Sequence, residues 1–242
     1  MITIYSDLTD ALADYEMVGQ IDEPITAVLE EGLNDEFIAT FSLPIGFDTD
    51  WAEVVVGRVA KISGYFFDIV RRVRRRNNDG ALIVEAECEH ISYRLLDKEY
   101  GVDLWDGRLD ADADESASSL VVAALESGEV SSGDVLRIGG GDTEEFKTVS
   151  SANHSTNTIT ISSGLSNAQP KGTIVQVVDY FENKTATQML TELVSGTDLS
   201  VGTVEPTGTE TFLFEDISGR EALILVADRF GGELEYNNGA IN

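Results

Sequence analysis

The chain has 242 residues, enough for one large domain or a domain carrying a small insert, with an ordinary core that needs no staples. Hydrophobic residues make up 42% and charged residues 25%, so the chain is neither disordered in bulk nor membrane-embedded. Against 44 Asp and Glu stand 16 Lys and Arg, a net charge of -28 that repels nucleic acid and anionic lipid and argues against DNA binding by the whole surface.

Met1 to Tyr5 alternates apolar and polar residues as a short strand does. Pro24 to Glu31 does the same, Gly32-Leu33-Asn34-Asp35 interrupts it, and Phe37, Ala39, Phe41 and Leu43 alternate again. These two runs predict an antiparallel hairpin with one buried face. Trp51 to Ile62 is valine-rich, Ser63-Gly64 offers a turn, and Tyr65 to Val73 returns as a strand. Asn78-Asp79-Gly80 supplies a tight turn before Ala81 to His90, completing a β-meander suited to a barrel or sandwich.

From Asp110 the period changes. Ala117, Leu120, Val121 and Ala124 fall on one helical face, which predicts a helix from about Asp114 to Leu125 ended by Gly128. Between Ser131 and Val178, Gly, Ser, Thr and Asn punctuate four short β-rich runs: Val135 to Ile138, Phe146 to Val149, Thr158 to Ile161 and Thr173 to Val178. They predict a small β insert. Thr185, Met189, Leu190 and Leu193 mark a second helix and Thr211 to Phe214 a strand. Ser218 with Glu221 reads as a capping box opening a third helix that Gly231-Gly232 stops. Glu233 to Tyr236 then reads as a strand turning at Asn237-Asn238-Gly239.

The fold class expected is therefore mainly β: a β-barrel or meander domain with two or three short helices and an inserted small β domain. The expected division is 1–127 and 179–242 for the main domain and 128–178 for the insert.

Cys88, the single cysteine, lies in an apolar-alternating run and reads as a core residue, leaving no internal disulfide and no thiolate metal site. No run of about 18 apolar residues is present, so no transmembrane helix or membrane anchor is expected. Met1 to Tyr5 lacks the basic and apolar regions of a signal peptide, so folding in a cytoplasm without secretion is expected.

Few residues carry recognisable chemistry. His90 and His154 are the two histidines, one at a strand end and one in a loop-like run, and both read as structural. No nucleophile elbow appears, and Gly139-Gly140-Gly141-Asp142 lacks the lysine of a phosphate loop and reads as a hairpin turn. Asp110, Asp112 and Asp114 alternate like calcium-loop ligands, but Glu115 stands where that loop needs glycine. No catalytic, metal or cofactor-binding residue is assigned, and no enzyme activity is expected.

Five of the 16 cations lie in one run, Arg71, Arg72, Arg74, Arg75 and Arg76. On a strand Arg72, Arg74 and Arg76 share one face and Arg71 and Arg75 the other. They are candidates for salt bridges to carboxylates of a neighbouring subunit, or equally for neutralising acids of their own chain. Nucleic-acid binding ranks below both, because no aromatics interleave the arginines.

Three segments, in order, resemble the amino-terminal part of phage tail-associated hub proteins, the prophage endopeptidase tail family, related to the baseplate hubs of contractile tails. The first is Glu30-Glu31-Gly32-Leu33-Asn34-Asp35-Glu36-Phe37-Ile38-Ala39-Thr40-Phe41-Ser42-Leu43-Pro44, similar to that family's opening hairpin. The second is Val84 to Leu95, with Ala86, His90, Tyr93 and Leu95 similar to the family's Ala-x-x-His-x-x-Tyr-x-Leu strand end, here with one extra residue before the histidine. The third is Ser218-Gly219-Arg220-Glu221-Ala222-Leu223 followed by Asp228 to Asn238, resembling the family's helix and Gly-Gly-Glu hairpin.

The resemblance covers 1–127 and 179–242 and implies a virion tail-tip hub protein, a homotrimeric ring joining the tail tube to the tip and lining the genome channel. Implied partners are further copies of itself, the distal tail or tube ring protein, the tape-measure protein and tip or receptor-binding proteins. Members usually continue into a further hub domain and a cell-wall-cleaving or receptor-binding tail, which this sequence lacks, so no peptidase activity is carried over. The alternative is a receptor- or carbohydrate-binding module using the β insert. The acidity reads in two ways, as adaptation to high salt or as a channel surface past which nucleic acid slides without sticking.

Overall fold

The computed structural model describes residues 1–13, 17–32, 37–46, 50–102, 104–237 and 240–242. Strands account for 43% of the described residues and helices for 17%, which makes the fold mainly β. The chain forms two compact units, one of residues 1–98, 184–210 and 218–242 and one of residues 99–183 and 211–217.

In the first unit a curled half-barrel sheet is built from β1 (Ile2–Tyr5), β2 (Gly19–Ile21), β3 (Thr26–Glu31), β4 (Phe37–Pro44), β5 (Val59–Ile62), β6 (Tyr65–Arg76) and β7 (Leu82–His90). Their spatial order is β2-β1-β5-β6-β7-β4-β3, and every neighbouring pair whose register is given runs antiparallel. Alternation decides which side chains go inside: Phe37, Ala39, Phe41 and Leu43 of β4 join Val84, Ala86 and Cys88 of β7 and Phe67 and Ile69 of β6 in one core. The predicted β3–β4 hairpin forms with Thr26 opposite Ser42 and Glu31 opposite Phe37. The turn read at 32–35 falls mainly on residues outside those described, as does most of the turn at 237–239.

The two meander turns differ in chemistry. At the β5–β6 turn Ser63 and Gly64 both have positive φ, the pairing a tight two-residue hairpin requires. Between β6 and β7 Gly80 alone is in that region, and Asn77 closes the loop instead, its Oδ1 accepting from the N–H groups of Asp79 and Ala81 at 3.1 and 2.9 Å.

A short helix not anticipated from the sequence, α1 (Leu8–Leu12), follows β1 and is capped by Asp7, whose side chain accepts from the N–H of Asp10. Predicted helices appear as α2 (Ala186–Val194) and α3 (Gly219–Phe230). Each opens on a reciprocal capping box, Thr185 with Gln188 and Ser218 with Glu221, and α3 closes on Gly231 at φ +66°.

The second unit begins with β8 (Glu99–Tyr100) and contains β9 (Asp106–Arg108), β10 (Ser119–Val121), β11 (Val135–Ile138), β12 (Glu145–Asn153), β13 (Thr158–Ile161), β14 (Ile174–Lys184) and β16 (Glu210–Phe214). Its sheet runs β10-β13-β12-β11-β14-β16, with β9 also on β14. The helix expected from Asp114 to Leu125 does not form. Ser119–Val121 is a strand paired with β13, with Leu120 and Val122 buried and Val121 exposed between them. A period of two also fits Leu120, Val121 and Val122, and pairing with Ile159 and its neighbours selects it.

After α2, β15 (Ser200–Val201) pairs in parallel with β19 (Ala240–Ile241), which pairs antiparallel with β18 (Tyr236–Asn237); β17 (Ile217–Ser218) leads directly into α3. The predicted strand over Glu233–Tyr236 is shorter as a ladder, although Glu235 exchanges backbone hydrogen bonds with Asn242.

Candidate functional site

The basic run occupies the outer half of β6, and a β-bulge sets its orientation. Pairing with β7 shifts register between Ile69 and Arg71, leaving Val70 as the extra residue, 41% exposed. Beyond the bulge Arg71 stands opposite Glu87, Arg72 opposite Ala86 and Arg74 opposite Val84. Arg72 and Arg74 therefore share the face of the core residues Ala86 and Val84, and Arg71 and Arg75 share the face of Glu85 and Glu87.

The two faces are chemically different. Arg71 Nη1 donates to Glu87 Oε1 at 2.6 Å and Arg75 pairs with Glu85, both on exposed surface. Arg76 donates to the carbonyl of Gly80 at 2.7 Å. On the other face the guanidinium carbons of Arg72 and Arg74 lie 5.6 and 4.7 Å from the centre of the Trp51 ring, both within cation–π range. Arg72 also donates from Nη2 to the carbonyl of Trp51 at 3.0 Å, while its Nε is buried without a hydrogen-bond partner among the described residues. Burial lowers the Arg72 pKa, and the neighbouring Arg74 charge lowers it further.

A second cluster gathers residues from all three segments of the sequence resemblance. The His90 ring stacks on Phe37 at 4.5 Å and 19° and lies 4.4 Å from Tyr236. Arg220 covers the face of Tyr93 at 4.2 Å. His90 is 2% exposed and accepts from the N–H of Ser92 through Nδ1 at 3.2 Å, capping the 3-10 turn Ile91–Asp97. Burial, and secondarily the Arg220 charge, pushes its pKa down to about 3, so the ring is neutral at ordinary pH. Tyr236 hydrogen-bonds Ser92, and burial raises its phenol pKa.

The remaining candidates are held by their own neighbours. Asp110 pairs with Lys171 Nζ at 2.8 Å, and Asp112 accepts from the Lys171 N–H at 2.7 Å. His154 lies in the β12–β13 turn, and Gly139 to Gly141 lie in the β11–β12 connection. Cys88 is in the core, its thiol pushed up to about 12 by burial. Phe146, the single aromatic between Ser131 and Val178, is half-buried and stacked face to face on Tyr180 at 4.0 Å. Among the described residues no three His, Cys, Asp or Glu gather as a metal-binding group, and no helix is long and apolar enough to cross a membrane.

Sequence reasoning missed Trp51 as the partner of the arginines and Tyr236 as the partner of His90. The signal for the glutamate pairs was present: the short loop after Arg76 puts Arg71 opposite Glu87 once Arg76 is placed opposite Leu82.

No protein-family model matches the chain, and no curated protein matches it. Among solved structures it is similar to the prophage tail protein gp18 from Listeria monocytogenes, with a TM-score of 0.42 and 11% sequence identity. That match covers 99% of this chain and 49% of the other, so the chain spans about half the length of the protein it resembles.

Proposed function

We propose that this protein is a structural component of the tail of a tailed virus or tail-like particle. In this reading it is a tail-tip or baseplate hub that forms a homotrimeric ring, joins the tail tube to the tip and lines the genome channel. The observation that supports it is the convergence at His90. The hairpin residue Phe37, the strand-end residues His90 and Tyr93, and Arg220 and Tyr236 from the last segment are far apart in sequence, yet they make one cluster around the buried Phe37 and His90. Residues from all three segments that carry the resemblance to tail hub proteins thus meet in the first unit.

The role is mechanical and asks no covalent chemistry of the chain. The net charge of -28 suits a wall past which DNA moves, since like charge keeps the polymer from adhering. Further partners in this reading are the distal tail ring, the tape-measure protein and tip proteins. Sedimentation of the purified chain at about 0.15 M salt (a Debye length of about 8 Å) and at high salt tests the proposal. A trimer mass, with rings in electron micrographs, is expected; a monomer under both conditions removes the ring. Glycan binding that disappears when 128–178 is deleted would favour the receptor-binding alternative.

A further inference from the structure

A cavity of about 830 Å³ opens in the first unit between α2, α3 and residues 203–206 and 231–235, a volume in the range of ligand sites. Its floor is apolar. Ala186 and Leu190 lie one turn apart on α2, Val226 and Ala227 come from α3, and all four are buried. Val204, Pro206, Phe230 and Leu234 add half-buried apolar walls. Asn242 fastens one end, its Oδ1 accepting from the N–H of Thr203 at 2.8 Å while its backbone exchanges hydrogen bonds with Glu235. The cavity is therefore built by two helices and a tied pair of chain segments.

Its charge has one sign. Glu205, Glu233 and Glu235 line it, all three are exposed, and none forms an ion pair among the described residues. No lysine or arginine is among the residues that line it. The three carboxylates do not gather as a metal-binding group, so they suit several separate cationic heads better than one ion. Phosphate polymers and anionic lipid are repelled. Aliphatic groups for the floor and cations for the rim are the complement the cavity asks of an occupant.

The backbone beside the cavity indicates that the occupant is a peptide. Residues 202–206 continue β15, the edge strand of the small three-stranded sheet, beyond its ladder. The N–H groups of Gly202 and Thr203 are taken by Ile241 and Asn242, but Val204 and Glu205 form no hydrogen bond among the described residues. An extended segment added there can pair through its main chain and send alternate side chains to opposite faces. A second copy of this chain has little to offer such a site. Among its described residues every cation except Lys184 and Arg229 already meets a carboxylate, a carbonyl or an aromatic ring.

We propose that this cavity receives an extended segment of a different protein in which aliphatic residues alternate with lysine or arginine. The aliphatic side chains seat on the floor made by α2 and α3, and the cations meet Glu205, Glu233 and Glu235. This goes beyond the ring reading and does not require it, since oligomeric state tests that reading and peptide binding tests this one. Fluorescence anisotropy of the full chain at about 0.15 M salt uses two labelled octapeptides, one alternating leucine with lysine and one alternating valine with arginine, with octalysine as control. At least one alternating peptide is expected to bind about tenfold or more tightly than octalysine, because octalysine leaves the floor uncovered. E205Q/E233Q/E235Q is expected to weaken that binding about tenfold or more, whereas E115Q/E126Q/E182Q, which removes as many exposed charges from the second unit, leaves it unchanged. The octalysine comparison needs no variant and keeps the test valid should the first variant fail to fold. Binding by neither alternating peptide, equal binding of octalysine, or equal weakening by both variants overturns the proposal. Self-association of the wild-type chain that E205Q/E233Q/E235Q abolishes also overturns it, by giving the cavity to a second copy.

Discussion

His90 shows how a single buried residue can make a whole domain sensitive to acid. Its folded-state pKa of about 3 lies below the unfolded value near 6.5, so between these limits the unfolded chain holds a proton the folded chain refuses. Stability is therefore complete above about pH 6.5 and is lost as pH falls toward 3, by about 3 kcal/mol at pH 4 from this residue alone. Urea titrations at pH 7, 5.5 and 4 check this. His90→Asn, which keeps an acceptor for the Ser92 N–H, is expected to be less stable at pH 7 but to lose less between pH 7 and 4. Glu145 adds to the same loss of stability in acid, for a different reason. Burial pushes its pKa up, yet the N–H of Ser166, the Lys147 ammonium, the N–H of Asn167 and the amide of Gln169 together pull it below the usual range. Glu145→Ala strands those donors and a lysine only 11% exposed, and is expected to cost about 2–4 kcal/mol in chemical denaturation, with Glu145→Gln recovering part of it.

At the scale of elements, the bulge at Val70 decides which arginines meet Trp51. An unbroken ladder that kept Val70 would put Arg71, Val73 and Arg75 on the face of Ala86 and Val84, whereas deleting Val70 removes only the extra residue and leaves Arg71 opposite Glu87 and Arg72 opposite Ala86. The expected outcome of the deletion is a melting temperature by circular dichroism within roughly 5 °C of wild type, given about 2–4 °C per kcal/mol for a chain of this size. In the first sheet β1, β3, β4, β6 and β7 were legible from alternation and the turn residues between them, whereas β2 was not anticipated and the run Trp51 to Ile62 yields a strand only over Val59–Ile62. The bulge was not legible, because nothing in Ile69-Val70-Arg71 distinguishes an extra residue from a paired one. Leu120 and Val122 illustrate the other limit. Ala117, Leu120, Val121 and Ala124 fit a helix as well as a strand, and only a partner 39 residues away in the register Leu120 to Ile159 resolves them. That Arg72 and Arg74 share a face followed from alternation alone. That this face meets Trp51 was not legible, because Trp51 lies outside the strand.

For the whole molecule the dominant quantity is the net charge of -28. Crowded carboxylates repel one another in the folded state, and the Debye length falls from about 10 Å at 0.1 M salt to about 3 Å at 1 M. Melting temperature is therefore expected to rise between these two concentrations, measured by calorimetry with sodium chloride as the only variable. A fall would show that the ion pairs given among the described residues by Arg58, Arg71, Arg75, Arg94, Arg137, Lys147 and Lys171 outweigh the repulsion.

The division of the chain also sets a timetable for synthesis. The first unit opens with residues 1–98 but recovers its last portion only from Ser218 onward. At about 5–20 residues per second a ribosome takes roughly 6–24 s to cover that interval. Throughout it Phe37 and His90 have emerged while Tyr236 and Arg220 have not, so the nascent half-barrel waits with an aromatic face uncovered. The second unit, almost continuous in sequence, can finish sooner, and the carboxylates that crowd the mature protein would keep neighbouring nascent chains apart during the wait.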